Sequence, residues 1–284
     1  MLTCVRHIEE TTSMKRIIRA VVMALLLAPG MLWADDLRQQ FNAGLEAYET
    51  GDYETACEIW LPLAERGDAE AQARLGDMFA RGDGVFVSSS KSIRWYWACA
   101  EQGHDGAQFS LGSDYYNGLI VARDYAEAAR WFLAAAEQGN KIAQYRLASM
   151  YKNGEGVAQN DFEAARWYRS AAKQGWPDAE FYLGFMYYHG RGVRKNYASA
   201  ARWYLVAAKK GMAIAQANVG RMYANGEGVI QDYSTAHMWL NIASRRIVTN
   251  RDRERVEDLM TPEAIAEAQR RARICIKSGY QDCD

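Results

Sequence analysis

Residues 143–175 read AQYRLASMYKNGEGVAQNDFEAARWYRSAAKQG, and residues 179–211, 36 positions further on, read AEFYLGFMYYHGRGVRKNYASAARWYLVAAKKG. The same spacing extends outward in both directions. Gly67, Gly103, Gly139, Gly175 and Gly211 stand 36 residues apart, and counting each as position 0, position 4 is Ala71, Ala107, Ala143, Ala179 and Ala215. Position 8 is Leu75, Leu111, Leu147, Leu183 and Val219; position 12 is Phe79, Tyr115, Tyr151, Tyr187 and Tyr223; position 28 is Trp95, Trp131, Trp167, Trp203 and Trp239. Five tryptophans in one register identify an internal repeat, and a repeat governs every other reading of the chain.

In the Gly139 repeat, Ala143, Leu147, Met150 and Tyr151 form one stripe of a 3.6-residue helix, and Ala164, Trp167, Tyr168, Ala171 and Ala172 form a second. Each repeat is therefore predicted to be two amphipathic helices. The link Asn153-Gly154-Glu155-Gly156-Val157 supplies glycines able to take the left-handed conformation that ends a helix. Recurrent alanines let the helices approach closely. One pair cannot bury these faces alone, so the pairs must stack. The predicted fold is all-α, a right-handed α/α solenoid of stacked helix pairs.

The pattern Ala-Gln-x-x-Leu-Gly-x-Met-Tyr-x-x-Gly-x-Gly-Val, followed by Ala-Ala-Arg-Trp-Tyr-x-x-Ala-Ala-x-Gln-Gly, resembles the Sel1-like repeat, a relative of the tetratricopeptide repeat. The resemblance covers residues 67–246, divided as 67–102, 103–138, 139–174, 175–210 and 211–246. A shorter copy within 35–66, carrying Tyr48, Gly51-Asp52-Tyr53 and Trp60, is expected to cap the stack. Ile120 replaces the second loop glycine of the Gly103 repeat, and Ser88-Ser89-Ser90 replaces the aromatic before the second helix of the Gly67 repeat, so altered turns are expected there. Residues 247–284 are read as capping helices and tail: Thr261 is an N-cap, Pro262 a first helical residue, and Ile265, Ala268, Ala272 and Cys275 the face laid on the last repeat.

From Met14 the chain runs Lys15, Arg16 and Arg19, then an apolar stretch from Ala20 to Ala28, a Pro29-Gly30 break, and Met31-Leu32-Trp33-Ala34 before Asp35. This reads as a secretory signal peptide cut after Ala34, with an uncleaved anchor as the alternative. Residues 1–13 are unlike a signal n-region, and the start is placed at Met14. The expected location is the periplasm or beyond, with no membrane span left after cleavage. The first 34 residues hold four basic and two acidic side chains, leaving 30 Lys+Arg and 33 Asp+Glu, a net charge of −3. That balance, with 49% hydrophobic residues, argues against both a disordered chain and a nucleic-acid binder.

In an oxidising compartment Cys275 and Cys283 make a plausible disulfide across the Gly279-Tyr280 turn, whereas Cys57 and Cys99 occupy positions where other repeats carry Ala and read as small buried side chains. No Cys-x-x-Cys is present, and His104, His189 and His237 fall in different repeats, so no metal and no cofactor is expected. Ser88-Ser-Ser-Lys91 and Ser170-Ala-Ala-Lys173 fit Ser-x-x-Lys, and Lys277-Ser278-Gly279 and Tyr223-Ala-Asn225 fit companion motifs of penicillin-binding enzymes. Such motifs work in a strand-edged cleft, so on a helical rod they carry no catalytic expectation. The Gly-x-Gly pairs lie between helices and lack a third glycine, which makes them turn residues and not a phosphate loop. Arg191, Arg194, Lys195 and Arg202 form the one basic patch, a solvated face unless it docks an acidic partner.

Positions 6, 10 and 13 of the first helices fall opposite the core stripe at 100° per residue. They give Phe109 and Tyr116, Tyr145 and Lys152, then Phe181, Phe185 and Tyr188, an aromatic ridge expected on the concave face. The plainer reading is that the position-6 ring packs between helices. The resemblance implies an exported, non-enzymatic scaffold or regulator that holds a protein or peptide on this face. The alternative is an envelope-polymer or small-ligand binder with weak cell-wall or β-lactam hydrolase activity.

Overall fold

The computed structural model describes residues 31–247 and 249–283, with the backbone alone for residues 31–35. The expected signal peptide lies outside the described residues up to residue 30. Fourteen α-helices and no strand are found among the described residues, as the 3.6-residue periodicity requires. They fall into two compact units, up to Gln138 and from Gly139 onward.

In the first unit α1 (Met31–Glu49) pairs with α2 (Tyr53–Glu65), α3 (Ala69–Arg81) with α4 (Ser89–Glu101), and α5 (Asp105–Asn117) with α6 (Tyr125–Glu137). In the second, α7 (Lys141–Asn153) pairs with α8 (Asp161–Lys173), α9 (Pro177–His189) with α10 (Tyr197–Lys209), and α11 (Ala213–Asn225) with α12 (Tyr233–Ala243). Successive pairs stack through α2 and α3, α4 and α5, α8 and α9, and α10 and α11. The helix α13 (Asn250–Glu257) and the helix α14 (Pro262–Lys277) both pack on α12 and close the second unit.

The ends of the helices follow from the loop sequence. Gly190 sits at φ 72°, outside the range other residues adopt readily, and its N–H donates to the Met186 carbonyl at 2.8 Å. At the start of the next helix, the Asn196 side chain accepts from the Ser199 N–H at 2.9 Å. Between them the Asn196 N–H donates to the Tyr187 carbonyl at 2.9 Å and closes the loop. Ser88 and Asp124 make the same closure at 2.9 Å, to Phe79 and Tyr115. The two irregular loops therefore keep the standard closure, and the altered turn expected at Ser88-Ser89-Ser90 does not appear. At Ile120 the turn does change: the residue lacks the positive φ of Gly84, Gly156, Gly192 and Gly228, since Tyr280 is the only non-glycine with positive φ among the described residues.

The core of each pair is assembled by side chains of fixed position. Trp60, Leu75, Met78 and Phe79 are fully buried in the first unit, and Tyr168, Leu183 and Trp239 in the second. In four of the five repeats a glycine at position 9 sets the spacing of the two helices, and the Gly139 repeat carries the buried Ala148 there. A Cβ on Gly112 would lie 2.6 Å from the Phe132 ring, and one on Gly184 2.8 Å from the Tyr204 ring. The ring of the second helix lies directly on the backbone of the first.

A polar clamp joins neighbouring pairs at their buried edge. Gln72 donates to the Ala64 carbonyl at 3.0 Å, and its own carbonyl accepts from Gln102 at 2.9 Å. Gln108 repeats this with Ala100 at 3.1 Å and Gln138 at 2.8 Å. In the Gly175 repeat the two amides become a carboxylate and an ammonium: Lys210 donates to Glu180 at 2.5 Å and to the Gly175 carbonyl at 2.8 Å. Glu180 is only 2% exposed, and its Oε2 has no hydrogen-bond partner among the protein atoms.

At the C-terminal end Thr261 accepts from the Ala264 N–H at 3.3 Å and starts α14, which buries Ala268, Ala272 and Cys275. Ile265 is half-buried. Cys275 and Cys283 lie close enough to form a disulfide, with Cα atoms 4.6 Å apart. The charged segment before Pro262 forms α13, anchored by Glu257 to buried His237 at 2.8 Å and by Asp252 to Arg221 at 2.7 Å. Cys57 and Cys99 are both fully buried. Cys99 is a free thiol pushed up to about 12 by burial, whereas Cys57 is not a free thiol, a pairing that its alignment with an alanine gave no sign of.

Candidate functional site

In the first unit, Phe109 and Tyr116 sit on one face of α5, half-buried, and share one neighbour. The Phe132 ring lies 5.8 Å from Phe109 and 6.4 Å from Tyr116, and Tyr116 also leans on Tyr125 at 5.1 Å. On the core stripe of the same helix, where other repeats carry Met78, Met150, Met186 and Met222, Asp114 is held up to about 6 by burial, against an ordinary value of 3.8.

The second unit divides the remaining candidates into two groups. Tyr145 and Lys152 meet at Tyr182: the Tyr145 ring is 6.2 Å from it, and the Lys152 ammonium lies 4.4 Å over its centroid. Burial, reinforced by the charge of Arg191, holds the Lys152 amine below its ordinary value. Phe181, Phe185 and Tyr188 instead line a crevice of about 580 Å³ together with Ile214, Arg221 and Ile247. Tyr188 donates to Glu227 at 2.9 Å, and burial together with that bond pushes its hydroxyl up to about 12.

Position 6 has a second role. Phe109 against Phe132, Tyr145 against Tyr168 at 5.8 Å, and Phe181 against Tyr204 at 5.5 Å repeat one contact between the two helices of a pair. These rings hold the pairs together and present only part of their surface. Tyr188 likewise repeats a contact across its pair, against Tyr197 at 5.0 Å as Tyr116 does against Tyr125, whereas the ring neighbour of Phe185 is His189 of its own helix at 4.3 Å, and Phe185 lines the crevice most distinctively. Ile214, Arg221 and Ile247 lie outside the expected ridge, although Arg221 stands in the position-10 register; Ile247 lies past the last repeat.

The other motifs fall apart in space or serve the backbone. Ser88 caps α4 and Ser170 donates to the Arg166 carbonyl of its own helix at 3.3 Å. Lys277 ends α14 and Tyr223 lies in the last turn of α11. Among the described residues no group of three or more His, Cys, Asp or Glu is placed to hold a metal ion, and no helix is long and apolar enough to cross a membrane. Of the basic patch, Arg191 is bound to Asp161 at 3.0 Å and Arg202 to Ser199 at 3.3 Å, while Arg194 and Lys195 are exposed.

The Sel1 repeat model matches residues 69–104, 106–140, 141–176, 177–212 and 213–246. Among solved structures, a Sel1 repeat protein from Oxalobacter formigenes is 30% identical, with a TM-score of 0.69, over 74% of this chain and 86% of that one. The protective antigen c5321 of uropathogenic Escherichia coli strains, described as having an SLR fold, is 30% identical with a TM-score of 0.73. That match covers 87% of this chain and 55% of the other. No curated protein sequence matches the chain. Sel1 repeat proteins are in general non-enzymatic scaffolds for protein–protein interaction. With five matched repeats covering more than half of its length, and helix pairs stacked as the repeat requires, the chain belongs to the Sel1 repeat family.

Proposed function

We propose that this chain is an exported, non-enzymatic scaffold that holds a protein or peptide partner against the concave, first-helix face of its solenoid. The observation that carries the reading is the crevice of about 580 Å³ lined by Phe181, Phe185, Tyr188, Ile214, Arg221 and Ile247. Aromatic, aliphatic and arginine side chains around one depression are the composition of binding hot spots. Ile214 is 48% exposed, so the crevice offers apolar surface that a partner side chain would bury. Tyr188–Glu227 and Arg221–Asp252 mark its polar rim.

The partner is an extended or helical segment presenting an apolar side chain, since Phe181, Phe185, Ile214 and Ile247 make the lining mainly apolar. Export follows from the Lys15–Ala34 segment, and the Cys275–Cys283 bridge forms in the oxidising compartment reached. The test is affinity capture from a periplasmic extract with the chain from Asp35, comparing wild type with Phe185→Ser/Ile214→Ser. Phe109 and Phe181 stay intact because they hold helix pairs together. A protein retained by wild type and lost by the folded variant supports the reading; retention of the same partners by both, or of glycan alone, refutes it. A reporter fused after Asp36 tests export, and activity confined to the cytoplasm sinks that part.

A further inference from the structure

A second cavity, of about 760 Å³, opens between α8, α10 and the loop joining α9 to α10. Arg166, Arg169, Arg194 and Lys195 line it, and no acidic residue does. Arg166 is paired with Glu163 at 2.9 Å, but Arg169, Arg194 and Lys195 have no carboxylate partner among the described residues. Arg169 is held in place by donating to the Tyr187 hydroxyl at 3.1 Å. Phe162, 66% exposed, forms an aromatic wall beside these charges.

The other repeats show that this charge is not required by the fold. At the position of Arg169 they carry Trp97, Leu133, Leu205 and Asn241, and at the position of Arg194 they carry Phe86, Ala122, Ala158 and Ile230. The corresponding crevice one repeat further on has Leu205 and Val229 in its lining and Arg202 as its one charged residue. A scaffold role alone gives no reason to gather unpaired cations at one crevice. Their mutual repulsion disfavours the arrangement unless an anion relieves it.

We infer that this cavity binds a phosphorylated small molecule with a ring, such as a sugar phosphate. Guanidinium groups form two parallel hydrogen bonds to a phosphate, and Arg169 and Arg194 bring two of them to one space with the Lys195 ammonium beside them. Phe162 offers a face on which a sugar ring packs. The volume lies in the range of small-ligand sites, roughly 300–1,000 Å³. A bare phosphate would leave most of it empty.

The test is isothermal titration of the chain from Asp35 with glucose 6-phosphate, glucose, inorganic phosphate and polyglutamate. Wild type should bind glucose 6-phosphate, bind inorganic phosphate more weakly and ignore glucose, and the affinity should fall as salt rises. Arg169→Leu and Arg194→Ile install the residues that a neighbouring repeat already carries, so both variants should fold as wild type by circular dichroism. Each should weaken glucose 6-phosphate binding by about tenfold or more. Equal binding by wild type and variants, no binding by wild type, or capture of polyglutamate without the sugar phosphate overturns the inference.

Discussion

Lys210→Gln should destabilise the chain far more than Glu180→Gln, although each removes half of the same ion pair. The difference lies in what each substitution leaves behind. Glu180 is 2% exposed and the Lys210 side chain 35% exposed, so the carboxylate bears nearly all of the burial cost. Removing the ammonium strands that carboxylate with an amide donor and an Oε2 that already lacks a partner. Loss of one partner of a fully buried pair costs about 3–5 kcal/mol, and partial exposure of the lysine lowers this to roughly 2–3 kcal/mol. A glutamine at 180, by contrast, accepts from Lys210 through its carbonyl and turns an amide toward the Ala172 carbonyl, as Gln72 does toward Ala64 at 3.0 Å. That restores a bond worth about 1 kcal/mol in place of an unsatisfied oxygen, so Glu180→Gln should be neutral or stabilising. The double variant recreates the Gln108–Gln138 arrangement and should lie within about 1 kcal/mol of wild type, which makes the pair strongly non-additive. Urea unfolding followed by circular dichroism reads the order. Amide exchange in α9 and α10 localises the effect, because a repeat stack need not unfold in one step. Failure of Glu180→Gln to rescue Lys210→Gln would refute the account of the clamp.

Asp114 gives a pH signature. Its folded-state value of about 6 is raised above the ordinary 3.8, so its contribution is fully present below about pH 4 and lost as pH rises through 6. Asp114→Asn should therefore stabilise the chain at pH 7.5 by about 1 kcal/mol, allowing for the screening of a half-buried group, and change nothing at pH 3.5; equal effects at both pH values would contradict the desolvation argument. Gly184→Ala should destabilise by about 1–2 kcal/mol despite the helix propensity of alanine, because its Cβ would lie 2.8 Å from the Tyr204 ring. A thermal melt that matches wild type would show that the ring moves freely. Reduction of the Cys275–Cys283 bridge, which closes eight residues, should cost roughly 2–3 kcal/mol at the C-terminal cap. A melting temperature unchanged by reductant would place the stability of the cap elsewhere.

The helix pairs, their caps and their turns were legible because each is a local pattern written several times. The loop glycines act within a few residues of their own position, and repetition separates them from chance. The Gln clamp was not read, although Gln72, Gln108, Gln144 and Gln216 share position 5. Its partner stands 30 residues on, and only the crossing of two helices brings the amides together. Position 9 was missed for a related reason: a glycine inside a helix reads as a weakness until the ring above it is located. The ridge was half legible. Periodicity put Phe109, Phe181 and Tyr188 on one face, but not the Phe132 and Tyr204 rings that take up part of two of them.

A repeat also carries its own reference, and that gives a physical criterion for function in a chain whose scaffold is redundant. Where every copy has the same residue, packing accounts for it. A single departure is informative when it raises the cost of the fold and the structure contains no compensation. Glu180 fails this criterion, since Lys210 changes with it and closes the pair within the same repeat. Arg169 and Arg194 meet it: both replace residues that other repeats leave uncharged, both face one cavity, and neither has a carboxylate partner among the described residues. Phe185 meets it on the other side of the same helix pair, where the other repeats place Asp77, Ser113, Ser149 and Arg221. Departures from a common pattern therefore concentrate where the Gly139 and Gly175 repeats meet, on α8, α9 and the loop joining α9 to α10, and that junction is where substitutions should separate binding from stability.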